Sequence, residues 1–231
     1  MNVIAGVGAA IRAPLKIDPS ILFLAGIIFF AFGGTGESAP FAAIVVFVLA
    51  LSIYLHEIGH ATACVMQGVR VHKVVLHGGG GFCLHDPAPP AKDIRIVAAG
   101  PLVNLAIWGA ATLATDTVVE WEFGAWFRGE TDVEPAGYAS VAIEYLANVN
   151  LLLFALNLFP VMPLDGGRLT FLALWWRFPR ERAVRLSGLI GTIFAVLWIP
   201  VMIALFLFVG VILFFFPSIP YHWRRWRSGL E

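Results

Sequence analysis

This sequence has little charge. Only 13% of its 231 residues are Asp, Glu, Lys or Arg, whereas soluble globular proteins contain about 25%. Basic and acidic residues are equal in number, at 15 each, so the chain lacks the excess positive charge that nucleic-acid binding requires. Its two cysteines, Cys64 and Cys83, are too few for a disulfide framework. A nucleic-acid partner and a small disulfide-rich secreted domain are therefore excluded.

Apolar residues are abundant instead. They make up 59% of the chain and are gathered in long runs rather than in helical stripes. A helix needs about 20 residues to cross the hydrocarbon core of a bilayer. The sequence therefore predicts an all-α, multi-pass integral membrane protein in contact with the lipid bilayer. Its predicted transmembrane helices are residues 20–34, 41–67, 94–115, 138–159, 183–199 and 201–216.

The last two runs form one nearly continuous apolar stretch from Leu186 to Phe216. That stretch is either one long kinked helix or two short spans with a turn near Pro200. Basic residues favour the turn, because six spans place every Lys- and Arg-rich segment on one side and the acidic segment 116–137 on the other. Since basic loops face the cytoplasm, we expect both termini to be cytoplasmic.

The segment 69–90 lies between the second and third predicted spans. VRVHKVVL alternates in polarity, GGGG at 78–81 predicts a turn, and GFCLH can return as a second strand. We therefore expect a small β-hairpin at the membrane edge. Residues 73–76 are favoured as its open pairing edge, although the sequence does not show which of the two strands is open. The remaining segments are too short for an added soluble domain, and no cleavable signal peptide is evident, so 1–231 is predicted to be one domain with a core at 41–167.

The motif HEIGH ends the second apolar run, at residues 56–60. His56 and His60 are four residues apart, so on a helix they share a face and can hold one Zn²⁺. Glu57 is displaced by about 100° around that helix, beside the metal, where a general base belongs. Ionisable groups within a span are costly and indicate function.

A catalytic zinc ion needs a third protein ligand. Cys64 shares the helix face but lies about 12 Å along the axis from His56, so a buried apolar role suits it better. Cys83 and His85 in the predicted hairpin could approach the metal. Asp165 is the stronger candidate, because prolines and glycines in NLFPVMPLDGG break the helix around it. The alternative is that Asp165 caps the helix that follows.

Three segments together resemble the site-2 protease family of intramembrane zinc metalloproteases. They are HEIGH at 56–60, AAGPLVN at 98–104 and NLFPVMPLDGG at 157–167. The resemblance implies six helices around one zinc ion per chain, with His56, His60 and Asp165 as ligands and Glu57 as the catalytic residue. PDZ and CBS domains, which many family members carry, are not evident here.

Two asparagines in these segments have two interpretations each. Asn104 and Asn157 could donate a hydrogen bond to the substrate carbonyl or its oxyanion, or could simply hydrogen-bond between helices. The resulting hypothesis is a protease that cleaves a transmembrane protein substrate, with a regulatory membrane protein as a further partner. A membrane metal-ion transporter or sensor is the alternative, because intramembrane His and Asp residues also mark ion pathways.

Overall fold

Helices dominate the computed structural model, which describes residues 3–10, 12–209 and 215–229. A short 3₁₀ turn, Gly36–Ser38, precedes the third helix. The helices are α1 (Val3–Ala10), α2 (Ser20–Ala31), α3 (Ala39–Met66), α4 (Pro90–Phe127), α5 (Tyr138–Asn157), α6 (Asp165–Arg177), α7 (Arg180–Val209) and α8 (Ile219–Ser228). The strands are β1 (Leu15–Ile17), β2 (Val71–His77) and β3 (Gly80–His85).

Four helical segments within the described residues are long and apolar enough to cross a membrane. They correspond to the second, third, fourth and fifth apolar runs of the sequence, and they identify the chain as an integral membrane protein. Their bounds are Gly36–Met66, Pro90–Phe127, Tyr138–Asn157 and Arg180–Ala204. The prediction of six spans is not confirmed, for the reasons that follow.

The first predicted span, 20–34, forms only the 12-residue helix α2. This helix is apolar but shorter than the roughly 20 residues that a straight crossing requires. It stops because the chain turns at Gly33, whose φ of 72° lies in the left-handed region. The Ser38 hydroxyl then donates to the Gly33 carbonyl oxygen at 2.7 Å and holds the turn closed.

The turn predicted near Pro200 is wrong, because α7 continues through this residue to Val209. Proline removes one backbone donor from a helix. Membrane helices tolerate that loss when neighbouring groups satisfy the freed carbonyl, and α4 likewise contains Pro101. The predicted sixth span, 201–216, therefore begins inside α7, and its residues 210–214 lie outside the described part of the chain.

The acidic segment 116–137 is only partly a loop, because α4 extends beyond its predicted end at residue 115 to Phe127. This extension brings Glu122 to the start of α5. The Glu122 carboxylate accepts backbone hydrogen bonds from Ala139 at 3.2 Å and from Ser140 at 2.7 Å. Such bonds satisfy N–H groups that have no partner within the first turn of a helix.

The predicted β-hairpin is confirmed, and a strand missed in the sequence joins it. β2 pairs with β3 in antiparallel fashion, and β1 pairs with β2 in parallel, so the order is β1-β2-β3. The three residues of β1 are too few for a sequence signal, and they become a strand only by pairing with β2. Because β2 is central, residues 73–76 cannot be the open edge, and that expectation is wrong.

The fold divides into two compact units, residues 1–86 with 102–154 and residues 87–101 with 155–231. In the first unit, a buried cluster joins α1, α3 and β2 through Ala10, Ile58, Ala61 and Val74. In the second, the start of α4 packs with α6 and α7 through Val97, Phe171, Leu172, Ala183 and Val184. The description of 1–231 as one domain stays a prediction.

Candidate metal centre

Helix α3 places both histidines of HEIGH on one buried face. His56 is 6% exposed and His60 is 8% exposed. Their Nε2 atoms lie 3.0 Å apart, with the rings nearly perpendicular at 84°. Two nitrogens bonded to one tetrahedral zinc ion at 2.0–2.1 Å would be about 3.3 Å apart. The spacing of the two imidazoles therefore suits a shared zinc ion.

Asp165 is the first residue of α6, and Leu164 occupies the N-cap position before it. The chain turns tightly here, because a Cβ at Gly166 would lie 2.2 Å from the Leu158 carbonyl carbon. Only glycine allows this approach. The glycines thus permit the close backbone packing predicted from NLFPVMPLDGG. Because α6 begins at Asp165, the N-cap residue is Leu164 and not Asp165.

An ion pair between half-exposed Arg168 and buried Asp93 anchors α6 next to Asp165. The Arg168 guanidinium donates to the Asp93 carboxylate at 2.6 Å and 3.0 Å, and Asp93 is only 3% exposed. Asp93 lies near the beginning of α4, so the bond joins two helices of the same unit. Truncating Arg168 would leave the Asp93 carboxylate buried and unpaired, which is destabilising.

Ligand atoms of His56, His60 and Asp165 lie within 4.8 Å of one another. We call these residues the His-His-Asp cluster. Two imidazole nitrogens and one carboxylate oxygen form a donor set that zinc commonly takes in catalytic sites, so the cluster could bind this metal ion. Cys83 and His85, the rival ligands in the hairpin, do not belong to it.

Glu57 follows His56 on α3 and is buried, with 4% of its surface exposed. Its side chain lies beneath β3, because a Cβ at Gly81 would be 2.7 Å from Glu57 Cγ and 2.9 Å from its Oε1. The missing side chain at position 81 thus leaves room for this carboxylate. Strand β3 and the residue predicted to be catalytic are directly adjacent.

This adjacency makes Gly81→Ala a specific perturbation of Glu57. The new methyl group would overlap the Glu57 side chain, so the carboxylate must move, while both histidines keep their places. If Glu57 is the catalytic residue that the resemblance implies, proteolysis should fall by about 10-fold or more, since small displacements of catalytic groups reduce rates strongly. Zinc content, measured by atomic absorption, should stay unchanged.

The matched control for that variant is Gly109→Ala in α4, where an added Cβ meets no atom within 4 Å. It should retain native proteolysis and native zinc content. Equal activity of Gly81→Ala and Gly109→Ala would contradict the close packing of Glu57 against β3.

The two asparagines of the sequence motifs lie in different surroundings. Asn104 is fully buried, and its Oδ1 lies 2.6 Å from His56 Nδ1, so it takes part in an interhelical hydrogen bond. Asn157 is the half-buried last residue of α5. Sequence analysis missed Asn150 and Ser52, which continue the network from Asn104. The sequence could have indicated them, because both are polar residues within otherwise apolar helices.

The two cysteines contact each other. The Cys83 thiol in β3 is hydrogen-bonded to Cys64, and this bond and burial raise the pKa of Cys83. Cys64 itself is fully buried on α3. The Cys83 thiol is therefore protonated near pH 7, and both cysteines pack as small apolar groups, which matches the role expected for Cys64.

Residues 44–199 match the sequence model of peptidase family M50. A zinc metalloprotease of Methanocaldococcus jannaschii is 30% identical over 67% of this chain and 41% of its own length. Stage IV sporulation protein FB of Bacillus subtilis is 31% identical over 72% of this chain and 56% of its own length. This chain thus spans about half the length of these relatives.

The fold is also similar to a solved structure, a site-2 protease from Methanocaldococcus jannaschii. The match has a TM-score of 0.60 and covers 94% of this chain and 89% of that one. Sequence identity is 23%, so this likeness shows a shared fold and nothing further about activity.

Proposed function

Since this chain belongs to peptidase family M50, we propose that it is a zinc metalloprotease that cleaves a peptide bond in or beside a transmembrane segment of its substrate. The observation that carries the proposal is the His-His-Asp cluster, with Glu57 next to it on a helix long and apolar enough to cross a membrane. Ionisable groups inside an apolar membrane helix are costly, so their presence there indicates a function.

In this proposal His56, His60 and Asp165 hold one zinc ion per chain. Bound zinc supplies Lewis acidity, which polarises the scissile carbonyl and makes water more acidic. Glu57 accepts the proton from the attacking water and passes it to the leaving amide nitrogen. Its burial excludes bulk water from that transfer, and its position under Gly81 places it beside the extended backbone of β3.

A transmembrane substrate must be unwound locally before its peptide bond can be attacked, because helical hydrogen bonds enclose it. We propose that the unwound segment adds as a strand to the outer edge of β3. Within the described residues this edge has no strand partner, since the sheet ends at β3. Strand addition supplies backbone hydrogen bonds and depends little on side chains.

The direction of the β3 amides supports this edge. Asp86 donates its N–H to the Arg70 carbonyl oxygen at 3.0 Å, toward β2. Backbone groups alternate along an antiparallel strand, so the N–H of Leu84 also points toward β2. The N–H groups of Cys83 and Gly81 then point outward, on the side available to an added strand.

A proline at position 83 tests this edge. Cys83→Pro removes an outward N–H that a substrate strand would use, and we expect proteolysis to fall about 10-fold or more with zinc retained. Cys83→Ala removes the side chain alone and should retain most activity. Full activity in a folded, zinc-loaded Cys83→Pro protein would exclude β3 as the substrate template.

We propose that the basic segments between α3 and α4 and between α5 and α7 face the cytoplasm. The six-span arrangement would place both termini on that side as well. The proposed partners are a transmembrane substrate and a membrane protein that times its cleavage.

The function is tested by comparing the membranes of cells that express the native protein or its Glu57→Gln variant. Mass spectrometry should detect new protein termini within or next to transmembrane segments in the native sample only. Purified protein in lipid vesicles should generate the same fragments from the isolated substrate, and a zinc chelator should prevent this. Failure of both assays to yield a Glu57-dependent fragment would refute the protease assignment.

A further inference from the structure

Buried polar side chains form a hydrogen-bonded chain that leads away from His56. Asn104 Oδ1 lies 2.6 Å from His56 Nδ1, and Asn104 Nδ2 donates to Asn150 Oδ1 at 2.8 Å. Asn150 Nδ2 donates in turn to Ser52 Oγ at 2.9 Å. Asn104, Asn150 and Ser52 have no exposed surface. The chain joins α3, α4 and α5 within one compact unit.

Backbone carbonyls at the far end determine the direction of this chain. Asn150 Nδ2 donates to the Leu146 carbonyl at 2.8 Å, and the Ser52 hydroxyl donates to the Val48 carbonyl at 2.7 Å. A carbonyl oxygen can only accept. The amide NH₂ group of Asn150 must therefore face Leu146, which turns its Oδ1 toward Asn104.

The orientation of the Asn150 amide also determines the orientation of Asn104 and the position of the proton on His56. Since Asn150 Oδ1 accepts, Asn104 must present its NH₂ group to it, and Asn104 Oδ1 then faces His56. An oxygen in that position accepts a hydrogen bond, so the proton of neutral His56 resides on Nδ1. His56 Nε2 thereby retains the lone pair, and this is the nitrogen that lies 3.0 Å from His60 Nε2.

We propose that Asn104 and Asn150 are positioning residues that orient His56 and hold it in the Nδ1-protonated tautomer, with Nε2 directed toward a metal ion. This inference rests on the proposed role of His56 as a zinc ligand. It also gives Asn104 a role other than the oxyanion contact expected from its motif. A substrate contact requires an exposed amide, whereas Asn104 is 0% exposed.

Zinc affinity is the measurement that tests this role, by competition with a chromophoric chelator and without reference to proteolysis. Removing the hydrogen-bond partner of a ligating histidine typically weakens metal binding 10- to 100-fold. Asn104→Leu should show a loss of about this size. Asn104→Asp retains an acceptor for His56 Nδ1–H and should bind zinc about 10-fold more tightly than Asn104→Leu.

Asn150→Leu tests the second residue without removing any contact to His56. We expect it to lower zinc affinity, because Asn104 is no longer held in one amide orientation. The double variant Asn104→Leu/Asn150→Leu should bind zinc no more weakly than Asn104→Leu alone, since both changes interrupt the same series of hydrogen bonds. Ser52→Ala should have a smaller effect, because Leu146 still anchors the Asn150 amide.

Each variant is compared after its metal-free form shows the native helical content by circular dichroism. If Asn104→Leu does not fold, Asn150→Leu and Asn104→Asp carry the test. Native zinc affinity in Asn150→Leu, or equal losses in the Asp and Leu variants of Asn104, would overturn the proposal. His56→Ala separates the two levels of inference: if that variant keeps zinc, the metal assignment itself is refuted.

Discussion

Glu57→Gln is expected to lower proteolysis by about 10²- to 10⁴-fold, the usual contribution of a general base, while zinc stays at one ion per chain. Glutamine has nearly the same size as glutamate, so it fits the space beneath Gly81. Its neutral amide cannot accept the proton that attacking water must lose. The defect therefore belongs to the chemical step and not to folding or metal binding.

The measurement pairs a cleavage rate with zinc content determined on the same preparation. Glu144→Gln is the matched control, because Glu144 is an exposed glutamate on α5 and should tolerate the change. Loss of stoichiometric zinc in Glu57→Gln would identify Glu57 as a ligand and refute its assignment as the base. Native activity in that variant would remove Glu57 from the reaction altogether.

Asp165→Ala is expected to abolish both zinc binding and proteolysis. Removing a group that only supports a ligand already weakens metal affinity 10- to 100-fold, so loss of a ligand should exceed about 100-fold. Asp165→Asn retains an oxygen but loses the negative charge that offsets the charge of Zn²⁺. It should therefore bind zinc more weakly than the native protein and more tightly than Asp165→Ala.

Zinc affinity by chelator competition and zinc content by atomic absorption check this prediction. Asp116→Ala, at an exposed aspartate of α4, is the matched control and should bind zinc normally. The opposite result is equally specific. If Asp165→Ala keeps one zinc ion while Cys83→Ser or His85→Ala loses it, the third ligand lies in the hairpin.

Patterns within short stretches of sequence correctly predicted the features that depend on neighbouring residues alone. The four-residue spacing of His56 and His60 places them on one face of any helix, whatever surrounds it. The apolar runs behind α3 and α5 are long enough to require a helix in a bilayer, because only a helix satisfies its own backbone there. The alternation of VRVHKVVL and the glycines after it likewise predicted the hairpin.

The sequence-based expectations were wrong where a proline or a group of charged residues was interpreted as the end of a helix. Pro200 was interpreted as a turn, yet the apolar residues on both sides of it continue the helix at a smaller cost than a turn inside a bilayer. The acidic residues after position 115 were interpreted as a loop. Helix α4 instead continues through them to Phe127, and Glu122 accepts a hydrogen bond from the backbone at the start of α5. In both cases the helix continued past the residues that had been expected to end it.

By itself the sequence determined the chemistry of the site, since the types and local spacing of His56, Glu57 and His60 follow directly from the order of residues. Tertiary structure alone decided what surrounds that chemistry. β1 became a strand and made β2 central only by pairing with a segment 59 positions further along, Leu15 opposite Val74. Asn104 forms hydrogen bonds with His56, which lies 48 positions earlier in the sequence, and with Asn150, which lies 46 positions later. Such partners are chosen by packing between distant segments, which leaves no periodicity in the sequence for a local pattern to detect.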